Sequence, residues 1–262
     1  MWTEVARLDL VGRRRAILTY ALGMGLYALA IVALYPTFEH TTGLDNFTKD
    51  APTVAALFGA TGSLISPSGW LNVNLYANLF PLLVLLATIG YGAACLAGQD
   101  EEGTLAMVAV LPIRRHRIAI EKVVAMCIQA ALIVMVVTAV IALGHFFDIA
   151  VGAADLWGAS LGVALLGIDF GLVAMAVGAA TGSRGNAIGV ASAIAAASYL
   201  VSSLAPVVAW IRPARFASLF YWSVGNKQLT VGFNLGELAV LAVTGLALAA
   251  VTVAAFERLD LH

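Results

Sequence analysis

Six separate windows of about 20 predominantly apolar residues run through the chain, near 16–36, 74–97, 118–144, 156–180, 187–210 and 236–256. A helix rises ~1.5 Å per residue, so each window is long enough to cross a hydrocarbon core of about 30 Å. Composition agrees. Of the 262 residues, 61% are hydrophobic and only 11% charged, with a mean hydropathy of +0.95, whereas a soluble domain carries about 25% charge. The expected fold is an all-α integral membrane protein of six transmembrane helices, forming a single six-span domain over 1–262. A formal net charge of −1 gives no reason to expect a nucleic-acid partner.

An even number of spans puts both termini on one side, and the basic residues choose it. Arg7, Arg13, Arg14, Arg15, Arg114, Arg115, Arg117, Lys122, Arg184 and Arg258 fall on one face, and Lys49, Arg212, Arg215 and Lys227 on the other. By the positive-inside rule, the termini and the loop 98–117 are expected in the cytoplasm, with 37–72 and 211–235 extracellular. The first apolar run exceeds the ~7–15 residues of a signal-peptide core and is read as a retained span. Residues 1–15 form either an interfacial helix lying along the inner headgroups, with Asp9 interrupting its apolar face, or a basic flank that fixes topology.

Several positions inside the spans break the apolar pattern. Pro81 predicts a kink near Ala77 to Asn78, with Asn78 or Asn74 satisfying the carbonyl that a helix proline frees. Glycines four apart (Gly158 and Gly162, Gly167 and Gly171, Gly178 and Gly182, Gly185 and Gly189), continued by Ala193 and Ala197, predict closely packed helices, within one chain or across a dimer. Ser192, Ser198, Tyr199, Ser202 and Ser203 either line a pathway or bond back to their own helix. Asp169 stands alone near the middle of the fourth span, where an acid is costly and is either interior glue or a proton-coupling group. Cys95 and Cys127 read as small buried hydrophobes.

The outer segments are not bare connectors. Pro52 to Ala60 reads as a short helix between Gly and Pro punctuation, and Asn46-Phe47-Thr48 matches a glycosylation acceptor. The aromatic-rich 211–235 reads as a re-entrant or surface helical hairpin, or as an ordinary interfacial aromatic belt. No phosphate-binding Gly-x-x-x-x-Gly-Lys-Ser/Thr loop, zinc-binding His-Glu-x-x-His pair or Gly-x-Ser-x-Gly elbow occurs. The histidines, His40, His116, His145 and His262, are scattered. An enzyme is not expected, and the chain itself is expected to bind no cofactor or metal.

The loop 98–117 has internal structure of its own. Glu101-Glu102-Gly103-Thr104 ends the second helix, since Gly breaks it and Thr can cap the next one. Leu105 to Leu111 is then a short apolar helix that Pro112 stops, too short to span and in need of a partner groove. Arg114 to Lys122 supplies a basic anchor for anionic headgroups, and Arg117 can pair with Glu121 one turn on.

In these residues the chain resembles the membrane subunits of type-2 ABC exporters, especially drug and polyketide-antibiotic exporter permeases. The resemblance lies in Gln99-Asp100-Glu101-Glu102-Gly103-Thr104-Leu105, Val110-Leu111-Pro112, Arg114-Arg115 and Lys122. It extends to Tyr35-Pro36-Thr37-Phe38, Leu57-Phe58-Gly59, Ser66-Pro67-Ser68-Gly69-Trp70-Leu71 and the closing Phe256-Glu257-Arg258-Leu259-Asp260-Leu261. Ala106 departs from it, because the family usually has an acid there.

The resemblance implies that 103–111 is a coupling helix inserted into a separate ATPase (nucleotide-binding) subunit, which holds ATP and Mg. It also implies a second permease subunit, as homodimer or heterodimer, in a multi-pass bacterial-type cell membrane. The implied coupling residues are Glu101, Glu102, Gly103, Thr104, Leu105, Val108, Leu111, Pro112, Arg114 and Arg115. The implied pathway residues are Asn78, Phe80, Tyr91, Tyr199 and Ser202. The expected function is ATP-driven export of an amphipathic small molecule such as a drug, antibiotic or lipid, as in multidrug efflux. The alternative is a proton-coupled secondary transporter using Asp169.

Overall fold

A computed structural model describes residues 4–38, 66–104, 114–225, 229, 232 and 234–258, and contains no strand among them. Among the described residues six helices are long and apolar enough to cross a membrane: α1 Glu4–Phe38, α2 Pro67–Glu101, α3 Arg115–Phe147, α4 Ala153–Thr181, α5 Arg184–Leu204 and α6 Leu235–Glu257. Cross-contacts gather the start of α1, the end of α2, the start of α3 and the start of α5 at one end of the bundle, called here the basic end.

The axis of the bundle is α4, which packs against α2, α3, α5 and α6, while α1 lies mainly along α3. Glycine explains why. Gly158, Gly162, Gly167, Gly171 and Gly178 are all buried along α4. A Cβ added at Gly92 of α2 would fall on the carbonyl oxygen of Gly171, and one at Gly167 would sit 2.5 Å from Val84 Cγ1. In lipid there is little hydrophobic drive between helices, so backbones hold together by such close approach and the dispersion contacts it allows. The same stripe behaves differently on α5, where only Ala187, Ala191 and Ala195 are buried and Gly185, Gly189, Ala193 and Ala197 are exposed.

Residues 4–15 run into the first span without a break. α1 is one continuous helix of 35 residues, about 52 Å at ~1.5 Å per residue and so longer than the hydrocarbon core is thick. Its first turn rests on α3, where Glu121 Oε2 accepts from Val5 N at 2.8 Å and Ala6 N at 3.4 Å.

α2 starts earlier than the expected second span, with residues 67–71 already helical. Ser66 caps it by accepting from Gly69 N at 3.1 Å, with Pro67 in the first turn. Trp70 Nε1 donates to Ile31 O of α1 at 2.9 Å, and its ring stacks on Phe38 with centroids 5.3 Å apart. A π-helical turn comes next over Asn72–Tyr76, and the helix breaks at Asn78, with φ −134° and ψ −83°, before restarting at Leu79. The break lies where Pro81 predicts it. The asparagines serve other carbonyls than the one expected: Asn78 Nδ2 donates to Val73 O at 3.2 Å and Asn74 Nδ2 to Trp70 O at 2.9 Å.

The expected helix at 52–60 and the Asn46-Phe47-Thr48 motif lie outside the described residues. Between α5 and α6 the described residues include a 3-10 segment, Arg212–Ala217, and a π turn, Tyr221–Gly225, while part of the expected hairpin, over 226–228, 230–231 and 233, lies outside the described residues. Ser218 fastens this segment to α5: its Oγ donates to Ser198 O at 2.7 Å and lies 3.0 Å from Ser198 Oγ.

The packing at Gly92 yields a contrast that can be measured. Gly92→Val should lower stability by roughly 1–3 kcal/mol through overpacking against the Gly171 backbone. Gly90→Ala, two residues away with nothing within 4 Å of an added Cβ, should leave the thermal midpoint of the detergent-purified protein unchanged or raised. Equal losses for the two would remove the close-approach account.

Candidate functional site

The residues flanking the 105–113 interval are tied into the bundle. α2 ends with Gly103 in the left-handed region, φ +69°, its N–H donating to Asp100 O at 2.9 Å. Thr104 Oγ1 donates back to Gln99 O at 3.1 Å, closing the end of α2. Glu101 Oε1 accepts from Arg184 N at 2.8 Å and so caps the start of α5, where the macrodipole favours an acid. Glu102 is exposed, as are Arg114 at the N-cap of α3 and Arg115 in its first turn. Leu105, Val108, Leu111 and Pro112 lie outside the described residues.

On α3, Arg117 Nε pairs with Glu121 Oε1 at 3.2 Å, so Glu121 joins the loop edge to the first turn of α1. Lys122 is not a headgroup anchor. It is 0% exposed, and its Nζ reaches Asp9 Oδ2 of α1 at 3.1 Å and Gln99 Oε1 of α2 at 2.7 Å. Tyr91 OH donates to the same Asp9 oxygen at 2.8 Å, and the Arg13 guanidinium lies 5.0 Å from the Tyr91 ring centroid. An ammonium removed from water costs several kcal/mol unless paired and hydrogen-bonded, and here both conditions are met. Asp9, which interrupts the apolar face of α1 in sequence, is the counter-ion. The network draws on three helices, and no local spacing could have joined its members.

The second feature is a cavity of about 580 Å³ between α2 and α5, lined by Asn78, Leu82, Leu86, Gly90, Ile188, Ser192, Ala196 and Tyr199 among others. Asn78 and Tyr199, both expected as pathway residues, meet in its wall, with Tyr199 OH donating to Asn78 Oδ1 at 2.9 Å. Phe80 and Tyr91 are elsewhere. Phe80 is 0% exposed in the core, edge-on to Tyr76 at 5.3 Å, and Tyr91 belongs to the Lys122 network. Ser202 is half-buried against the π turn, 2.7 Å from where a Cβ on Gly225 would stand. Ser192 joins the cavity from the serine series on α5. The leucines of α2 that line it carried no signal beyond their apolarity.

Asp169 sits on α4 facing α6, 0% exposed, and a Cβ on Gly245 would be 2.7 Å from its Oδ1. Neither carboxyl oxygen has a hydrogen-bond partner among the described residues. No protein-family model matches the sequence, and no curated protein is similar to it. The helices themselves define the class: a multi-pass, all-helical membrane protein.

The Asp9–Lys122 pair can be tested by a double-mutant cycle. Asp9→Leu should cost about 3–5 kcal/mol by leaving a buried ammonium unpaired, and adding Lys122→Met should recover most of that loss. Unfolding midpoints of the four proteins give the coupling, and simply additive losses would show that the two side chains do not depend on each other.

Proposed function

We propose that the chain is the membrane permease subunit of an ATP-driven exporter in a bacterial-type cell membrane. A separate nucleotide-binding subunit holds ATP and Mg, a second permease subunit completes the pathway, and the cargo is an amphipathic small molecule. The observation that carries this reading is the fastening of both flanks of the 105–113 interval. Glu101 links the end of α2 to α5, while Glu121 and Lys122 link the start of α3 to α1 and α2. A loop so fastened transmits a push. The Gly103-Thr104 and Leu111-Pro112 motifs, with the basic cluster behind them, support a coupling helix at 103–111.

In this mechanism the basic end faces the cytoplasm, and closure of the ATPase subunits presses on 103–111. Displacement passes into the end of α2 and through Lys122 and Glu121 into α1. The break at Asn78 lets the inner part of α2 tilt without dragging the outer part, and so changes the shape of the cavity between α2 and α5.

One observation favours a second reading. A buried acid with both oxygens unpartnered among the described residues is what a proton-coupled transporter requires at membrane depth. The two readings separate in proteoliposomes. With the ATPase subunit present, Leu105→Asp plus Leu111→Asp should abolish ATP-dependent export and co-purification of that subunit, while Asp169→Asn leaves both in place. Transport driven by a proton gradient without ATPase, lost in Asp169→Asn, would replace the first reading with the second.

A further inference from the structure

The cavity between α2 and α5 carries information about its ligand. Among its thirteen lining residues none is Asp, Glu, Lys, Arg or His, and its polar side chains are confined to Asn78, Ser192 and Tyr199. The nearest basic residue along α5 is Arg184, one turn beyond Ile188, and its side chain is turned to Gly98 of α2, 3.3 Å from where a Cβ would stand. A charged ligand would lose its hydration here and find no counter-ion, which disfavours it strongly. A volume of about 580 Å³ falls within the ~300–1,000 Å³ of pockets that hold drug-sized molecules.

The polar groups are also spaced. Asn78 is fixed by its bond to Val73 O, and Tyr199 is held edge-on to Phe220 with centroids 5.4 Å apart. Ser192 lies seven residues before Tyr199 on the same face of α5, about 10 Å along the helix axis. A lipid chain or a helix of another subunit would use the apolar wall but has no use for polar groups held about 10 Å apart along it.

We propose that this cavity binds an electrically neutral, elongated, largely apolar molecule with two hydrogen-bonding groups about 10 Å apart, and that it excludes organic cations of similar size. The proposal rests on the permease reading only in taking this ligand as cargo.

The test uses the full chain in phosphatidylcholine nanodiscs with two tritiated probes of comparable bulk. Progesterone is neutral with a carbonyl at each end, and tetraphenylphosphonium is a cation. Saturable progesterone binding above empty nanodiscs, with none for tetraphenylphosphonium, is the expected result. Gly90→Phe fills the cavity from a position where an added Cβ meets nothing, so the fold is kept, and it should weaken progesterone by about tenfold or more through direct overlap. Tyr199→Phe and Ser192→Ala should each weaken it by about threefold to tenfold, the worth of one hydrogen bond.

Tetraphenylphosphonium binding as tight as progesterone, no saturable progesterone binding, or progesterone binding indifferent to Gly90→Phe would each overturn the proposal. Neutral-probe binding without ATP-dependent export would uphold the ligand class and remove the permease reading. Export of the cation by an ATPase-coupled complex would do the reverse.

Discussion

Everything in the bundle depends on how closely α4 can be approached. Four helices meet it, and an added methyl group would clash at Gly92 with the Gly171 carbonyl, at Gly167 with Val84, and at Gly171 with Met126 and Thr88. Dispersion falls steeply with separation, so a helix pair that touches backbone to backbone gains contacts that larger side chains would forfeit. The consequence is a division of labour. α2 and α4 are buried over 67% of their central windows, while α5 and α6 are buried over only 17% of theirs, which leaves those two to face lipid or other subunits.

The basic end solves a different problem with charge. Lys122, Asp9, Gln99 and Tyr91 come from three helices and satisfy one another away from water. Such a network seldom adds net stability over apolar packing, yet removing one partner is costly. It therefore ties α1, α2 and α3 to one another at this end of the bundle. Glu121 adds to this by capping the unpaired N–H groups of α1.

How much of this was legible in the sequence depends on the range of each interaction. Six spans were, because twenty apolar residues have one economical solution in lipid. The break in α2 was, because Pro81 and Asn78 act on their own turn, and the α4 glycines announced close packing without saying against what. The Asp9–Lys122 pair was not, because its members are 113 residues apart and each had a sufficient local explanation, one as a blemish on an amphipathic face, the other as part of a basic flank. Tyr91 was misplaced for the same reason: an aromatic on the second span suits a pathway until its hydroxyl is seen bonded to Asp9. The cavity was half legible, in Asn78 and Tyr199 but not in the leucines and alanines between them. An apolar residue that lines a cavity and one that faces lipid look the same.

These interactions also explain why the cavity lies where it does. α2 is in effect two rods joined at Asn78. The rod before the joint is tied to α1 by Trp70 and Tyr27, and to α4 by the Tyr76–Ser160 contact at 2.7 Å. The rod after it is set by the glycine contact with α4 and by Glu101 at α5. On the α2–α5 face between those fixed points, Gly90 on α2 and Ser192, Ala195 and Ala196 on α5 are small, so space is left between the two helices among the leucines and isoleucines that complete the wall. Asn78, whose backbone is the joint, holds the hydroxyl of Tyr199 on the opposite wall. A change in angle between the two rods must therefore be felt first at that hydrogen bond, which puts the joint in α2 and the polar end of the cavity in a single side chain.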